Sequence, residues 1–196
     1  MRVLFDVGHP AHVHLFKNLF FGLSAHGHEC LVSAREKDVT TELLKYYGIP
    51  YKSLGRHYEH LYGKAYGLAT IERKLLKLSK EFMPDIVVSH GSVYAAFVSA
   101  MLLKPHISME DTGNMEQIML YRPFTKVILT PSCFDKKLGV KQIRYKGYHE
   151  LAYLHPSYFK PDTDMKGSQS RRRQKYVLFR FVSWHATHDV GQQRIG

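Results

Sequence analysis

Short apolar runs alternate along this chain with amphipathic segments of helical period, and this alternation limits the fold more than any other feature. The runs span residues 3–7, 29–33, 49–54, 85–89, 106–109 and 126–130. The segments between them have apolar residues three and four positions apart, as in residues 13–25 and 68–82, which predicts helices. Strands that alternate with helices predict an α/β fold with a Rossmann-like parallel sheet.

Residues 55–67 contain glycines, tyrosines and histidines in place of a periodic pattern, which predicts a loop before the helix at 68–82. The remaining helices are expected at 38–47, 93–103 and 115–122.

The C-terminal part of the sequence has a different composition. Residues 160–175 are polar and basic, and residues 176–182 form a β-rich apolar run with only 14 residues after it. A strand this apolar needs partners to bury it. We therefore expect an N-terminal domain over 1–159, a basic linker over 160–175 and the start of an incomplete second domain over 176–196, so that the chain is truncated relative to a two-domain protein.

Charge and cysteine usage indicate the surroundings in which the chain acts. Its 28 Lys and Arg residues outnumber 17 Asp and Glu, giving a net charge of +11, which favours anionic partners. The two cysteines lack CxxC spacing, and no signal peptide or apolar span is present, so we expect a cytoplasmic protein. No zinc-finger, helix-turn-helix or RNP-type pattern supports nucleic acid as a partner.

Polar residues are concentrated in the loops that follow predicted strands. In an open parallel sheet, ligands bind beyond the carboxyl ends of the strands, where the strand order reverses. If the first and fourth strands flank that point, their loops and that of the fifth strand share one crevice. The predicted substrate-binding residues in these loops are Gly8, His9, His14, His90, Gly91, Ser92 and Thr112.

A histidine in this crevice is chemically suited to take a proton from a sugar hydroxyl, and a carboxylate to orient it. His12 is the first candidate for a general base, and Asp111 or Glu110 the second. Other interpretations stay open. Ser92 is equally consistent with a helix cap, and the two acids with stabilisation of the following helix dipole.

The sequence predicts no metal and no cofactor. The spacing of His9, His12 and His14 matches no established ligand pattern. The first loop lacks GxGxxG, and no GxxxxGK[ST] occurs anywhere in the sequence, which disfavours a NAD-type enzyme and a P-loop NTPase.

Four segments resemble one uncharacterised archaeal and bacterial family, domain-of-unknown-function family 354. They are residues 5–16 (FDVGHPAHVHLF), 89–92 (SHGS), 147–154 (GYHELAYL) and 180–191 (RFVSWHATHDVG). The resemblance implies a GT-B fold, in which two Rossmann-like domains face each other across a cleft. More distantly, the chain is similar to the GlcNAc transferase of the lipid-linked peptidoglycan precursor and to UDP-GlcNAc 2-epimerases. Residues 11–13 (AHV) lie where the transferase has Gly-His-Val.

The resemblance also implies a function. The present domain would hold the acceptor, while a nucleotide sugar would bind mainly to the second domain. The leading hypothesis is sugar transfer from a nucleotide sugar to a surface-polymer or lipid-linked acceptor. The alternatives are a nucleotide-sugar 2-epimerase-like enzyme and a non-catalytic binding or assembly module.

Basic and aromatic residues over 56–80 are consistent with peripheral contact with an acidic membrane, but a solvated helix face is the favoured interpretation.

Overall fold

The computed structural model describes residues 1–56 and 61–161. Met1–Tyr158 form one compact unit, and Phe159 begins a second. The predicted strand over 176–182, the motif over 180–191 and the predicted linker beyond residue 161 lie outside the described residues.

The first unit is built from strands and helices that alternate along the chain. The strands are β1 (Arg2–Val7), β2 (Glu29–Glu36), β3 (Tyr51–Arg56), β4 (Ile86–His90), β5 (His106–Met109), β6 (Val127–Pro131) and β7 (Gln142–Tyr145). The helices are α1 (Pro10–Ala25), α2 (Thr40–Tyr46), α3 (Leu61–Phe82), α4 (Val93–Met101), α5 (Met115–Tyr121) and α6 (Leu151–Leu154), and a short 3₁₀ helix spans Arg122–Phe124.

In the described part of the chain, the strands form one parallel sheet with the order β3-β2-β1-β4-β5-β6-β7. The direction of winding reverses between β1 and β4, which are hydrogen-bonded neighbours. The prediction of a parallel, Rossmann-like α/β domain is confirmed. The loops after β1, β4 and β5 therefore leave the same edge of the sheet, at the reversal point.

Apolar side chains cover both faces of the sheet, as expected for a parallel sheet. Successive residues of β1 point to opposite faces. Phe5 packs against Phe16 of α1, with ring centroids 5.6 Å apart. On the opposite face, Leu4 belongs to a buried cluster with Ile71 and Leu75 of α3. Helices on the two faces thus fix the sheet, and its carboxyl edge stays free for polar loops.

Several elements differ from the prediction. Helix α1 begins at Pro10, three residues before the predicted start, and α6 was not predicted. Strand β7 was not predicted because its residues are polar and partly exposed at the edge of the sheet, without an apolar run. Helix α3 begins at Leu61, inside the predicted loop over 55–67. Its Gly63 and Gly67 each lower helix propensity by about 1 kcal/mol, which masked the helix. Strand β2 continues to Glu36, three residues beyond the predicted end, and so includes Arg35.

Candidate functional site

Loops from β1, β2 and β4 surround a cleft of about 370 Å³ at the carboxyl edge of the sheet. The predicted site residues Gly8, His12, His90, Gly91 and Ser92 line it. Arg35, Lys37, Tyr94 and Gln117 also line it, and none of these four was predicted. The reversal of strand order thus brings together residues that are far apart in sequence.

His12 lies in the first turn of α1 and is held by the loop before it. The backbone N–H of Gly8 donates to Nδ1 of His12 over 3.3 Å. Because Nδ1 accepts this bond, the neutral imidazole carries its proton on Nε2. Burial lowers the pKa of His12 well below its usual value, and the nearby His90 and Arg35 lower it further. His12 is therefore a neutral imidazole near neutral pH.

His90 joins His12 to the loop after β5. The two imidazole rings have centroids 4.7 Å apart. His90 Nε2 also lies 3.0 Å from Oδ1 of Asp111. The hydrogen bond from His90 lowers the pKa of Asp111, so its carboxylate stays ionised. Two of the predicted catalytic residues, His12 and Asp111, thus both contact His90.

Asp6, in β1, is buried beneath the cleft and hydrogen-bonds residues of β2 and of the β4–α4 turn. It is 1% exposed and accepts hydrogen bonds from the hydroxyls of Ser33, at 2.9 Å, and Ser92, at 2.5 Å. Arg35 Nη2 completes the set at 3.3 Å. A carboxylate in an apolar strand is a signal that sequence analysis could have used, because a buried charge requires partners.

Arg35 is the cation paired with Asp6. Its guanidinium lies over the ring of Tyr94, 5.2 Å from the ring centroid, and against the backbone of Gly8. Its Nε atom is buried and has no hydrogen-bond partner in the described part of the chain. The side chain therefore fixes a positive charge beside His12 in the cleft.

His9 and His14 lie outside the cleft lining. His9 caps α1, since its Nδ1 accepts the N–H of Ala11 at 3.2 Å. His14 lies 3.3 Å from the hydroxyl of Tyr47 and stacks near Tyr153. Residues two apart on a helix point in different directions, so His14 faces α2 and α6 while His12 faces the cleft. This placement does not support His14 as a substrate contact.

Of the two roles that the sequence left open for the β4–α4 turn, the structure shows the helix cap. Ser92 caps α4 by accepting the N–H of Ala95 and is 3% exposed. Gly91 has φ +57°, a conformation that favours glycine. The cap interpretation of Ser92 is confirmed, and the residue also borders the cleft.

Glu110 lies inside the protein. It is 2% exposed. Its Oε1 accepts the N–H and hydroxyl of Thr112 at 2.8 and 2.7 Å and the N–H of Gly113 at 3.2 Å. Its Oε2 accepts the hydroxyl of Tyr121 at 2.8 Å. With both oxygens engaged, Glu110 is placed to hold the loop that carries Asp111, while Thr112 holds Glu110.

His149 completes the polar cluster from a distant part of the chain. Its Nδ1 lies 2.6 Å from the hydroxyl of Tyr145 and 3.9 Å from Oδ2 of Asp111. Burial lowers the pKa of His149, which Asp111 partly opposes. The motif over 147–154 was its only sequence signal. His90, Asp111 and His149 form a group whose side chains could hold a metal ion.

Chemically, this edge offers a neutral imidazole donor, an ionised carboxylate paired with a histidine, and a fixed guanidinium. The N-termini of α1 and α4 begin at the same edge and favour negative charge there. Such a site suits an anionic or polyhydroxyl ligand.

Among the described helices, none has the length and apolar character required to cross a bilayer.

A model of the protein-of-unknown-function family DUF354 matches residues 1–184. The chain belongs to this family. The resemblance carried by the sequence motifs is thereby confirmed. No curated protein sequence matches this DUF354 chain.

Solved structures place the DUF354 domain among GT-B folds. The glycosyltransferase SsfS6 from Streptomyces sp. SF2575 has a TM-score of 0.53 and 18% identity over 66% of this chain and 50% of its own. UDP-GlcNAc 2-epimerase from Neisseria meningitidis, solved with UDP-GlcNAc, has a TM-score of 0.56 and 16% identity over 66% and 40%. MurG from Acinetobacter baumannii has a TM-score of 0.55 and 15% identity over 69% and 43%.

At these identities the similarities establish the fold alone. The domain has the architecture of the N-terminal half of a GT-B protein. The DUF354 chain spans half or less of the length of these three relatives.

Proposed function

We propose that this chain is the acceptor-side domain of a glycosyltransferase that moves a sugar from a nucleotide sugar to a surface-polymer or lipid-linked acceptor. The observation that carries the proposal is the row formed by His12, His90 and Asp111 at the strand reversal of a GT-B N-terminal half. The row has the groups that proton transfer from a sugar hydroxyl requires.

In this reaction the acceptor oxygen forms a bond to the anomeric carbon of the donor sugar. The bond from that carbon to the diphosphate breaks, and the diphosphate leaves with the electron pair. His12 takes the acceptor proton at Nε2. The hydrogen bond from Gly8 N–H to Nδ1 favours the tautomer of His12 that is protonated at Nε2. To act as a base at Nε2, His12 must first adopt the other tautomer, with its proton on Nδ1. The 3.3 Å hydrogen bond from Gly8 is then broken.

Arg35 and Lys37 both line the cleft and supply positive charge there. Fixed cations and helix N-termini stabilise a developing diphosphate charge without a metal ion. The donor nucleotide is proposed to bind mainly to a second GT-B domain. We therefore expect weak or absent binding of UDP and dTDP to this chain in isothermal titration.

An epimerase-like reaction is the second candidate, because the Neisseria meningitidis epimerase shares this fold and is solved with UDP-GlcNAc. A binding or assembly module without catalysis is the third. Extracts of cells that express the chain together with the second GT-B domain that the proposal requires, supplied with labelled nucleotide sugars, separate the three. Label in polymer or lipid supports transfer, and label in a free, altered sugar supports epimerisation.

The matched variants are His12→Gln, which removes the proposed base, and His26→Gln, which changes an exposed histidine at the end of α1. We expect transfer to be lost in the first and kept in the second. Equal label in the His12→Gln extract and in the unchanged protein would reject His12 as the base. Absence of label in both products supports the non-catalytic module.

We further propose that the protein works in the cytoplasm, with α3 against acidic membrane lipid. Helix α3 buries Ile71 and Leu75 and exposes Arg73, Lys77 and Lys80. Pelleting with liposomes tests this contact, since exposed basic residues bind anionic lipid in a salt-dependent manner. Binding that ignores lipid charge would contradict it.

A further inference from the structure

Three metal-ligating side chains meet at the carboxyl edge of the sheet from three separate segments. His90 ends β4, Asp111 follows β5, and His149 follows β7. One ligand atom from each lies within 4.8 Å of the other two. In the described ranges, 1–56 and 61–161, this is the one such group of three.

The distances suit a small ion. In a tetrahedral site with metal–ligand bonds of about 2.1 Å, ligand atoms lie about 3.4 Å apart. The carboxylate of Asp111 lies 3.0 Å from His90 Nε2 and 3.9 Å from His149 Nδ1. The His90–Asp111 pair is thus within about half an ångström of the ideal separation, and the His149 imidazole lies next to the same carboxylate, so that a turn of its ring would present Nε2 to an ion.

His149 supplies an independent observation. The residue is 6% exposed, and its Nε2 is buried with no hydrogen-bond partner among the described residues. A buried nitrogen without a hydrogen-bond partner destabilises the fold. Coordination through Nε2 would satisfy it and leave Nδ1 to the hydroxyl of Tyr145. A metal-bound histidine typically has its other nitrogen hydrogen-bonded in this way.

A neighbouring cavity gives access. It has a volume of about 500 Å³ and is lined by Asp111, Thr112, Cys133 and His149, among others. An ion held by the three side chains would therefore keep an open coordination position towards solvent. Three protein ligands and one open position are typical of catalytic zinc sites.

We infer that His90, Asp111 and His149 form a binding site for one divalent transition-metal ion of the Zn²⁺ class. Two imidazoles and one carboxylate are borderline ligands that suit Zn²⁺ and Co²⁺ better than Mg²⁺ or Ca²⁺. The site shares His90 and Asp111 with the proposed proton-transfer row but does not include His12. Its test is metal binding, which can succeed or fail independently of sugar transfer.

Titration of the metal-free chain with Co²⁺ tests the inference, because bound Co²⁺ absorbs visible light and Zn²⁺ displaces it. We expect one Co²⁺ per chain at the site. Asp111→Asn and His149→Gln should each weaken binding at least tenfold, while His26→Gln should leave it unchanged.

Tyr145→Phe separates a coordination effect from a folding defect. It removes only the hydrogen bond to His149 and should weaken Co²⁺ binding about tenfold while circular dichroism stays unchanged. Cys133→Ser should retain binding. Absence of visible absorption at a Co²⁺ excess would overturn the inference. Co²⁺ binding that is unchanged in both Asp111→Asn and His149→Gln would also overturn it, because the ion would then be bound adventitiously by other histidines.

Discussion

The guanidinium of Arg35 lies against the α-carbon of Gly8, and a β-carbon added to Gly8 would lie 1.9 Å from Arg35 Nη2. The guanidinium is held by Asp6 and the ring of Tyr94. An alanine at position 8 would therefore displace the guanidinium from its contacts with Asp6 and Tyr94.

Gly8→Ala should lower the free energy of unfolding by about 1–3 kcal/mol, because the added methyl overpacks a site where Arg35 has little room to move. Urea denaturation measures the change. Gly22→Ala is the matched control, since nothing lies within 4 Å of its added β-carbon. In the α1 interior it should raise stability by about 0.5–1 kcal/mol. The same sign for both variants would contradict the packing explanation.

Asp6→Asn should lower the free energy of unfolding by about 3 kcal/mol, since it leaves the Arg35 charge partly buried without its partner. The double variant with Arg35→Met should lose less than the sum of the single variants. Lys77→Ala, in the exposed pair with Glu81, should change stability by about 0.5 kcal/mol or less. Additive losses at Asp6 and Arg35 would show that the two residues are not coupled.

His106 should make stability depend on pH. Burial lowers its pKa from 6.5 to about 4, and the charge of Asp6 opposes only part of this shift. Between pH 6.5 and pH 4 the unfolded chain binds a proton at His106 that the folded chain does not bind. The free energy of unfolding therefore falls as the pH falls through this range. Below pH 4 this residue reduces the stability no further. The loss is about 3 kcal/mol, at about 1.4 kcal/mol per pKa unit.

Urea denaturation at several pH values, for the unchanged protein and for His106→Gln, isolates this contribution. The variant should be less stable at pH 7, because its contacts with Ser89 and Thr125 change. It should also lose less stability on acidification. An unchanged pH slope would contradict the role assigned to His106.

Glu110→Gln should lower the free energy of unfolding by about 1–3 kcal/mol, because the amide group would face donors that now bond a carboxylate. Amide hydrogen exchange of Thr112 and Gly113 should become faster. The exposed Glu29 gives the control, and Glu29→Gln should have an effect within about 0.5 kcal/mol. Unchanged exchange in the Glu110 variant would argue against its role in holding the loop.

The sheet could be predicted from the sequence because each buried parallel strand is a short apolar run between helices. Strand β7 could not, since an edge strand pairs on one side only and needs no apolar run. The helical start of α3 was hidden by Gly63 and Gly67, whose low helix propensity is overridden in the folded domain.

The candidate site was predictable only where topology alone decides position. The reversal of strand order brings His12 and His90 together whatever their side chains do. Arg35 was missed because β2 was predicted to end at residue 33, so Arg35 was not assigned to the carboxyl end of a strand. His149 was missed because it follows β7, a strand that was not predicted, and no local sequence pattern indicates that this segment lies beside Asp111.

The path of the chain to His149 has a consequence for how the protein forms. The side chain of Asn18, in α1, donates to the carbonyl oxygen of Ala152 across a separation of 134 residues, at 2.6 Å. After β7, at the far edge of the sheet, the polypeptide thus returns to its first helix, where α6 contacts α1. During synthesis, His149 follows directly after β7, the last strand of the sheet, so the polar cluster can form only once all the strands have been made.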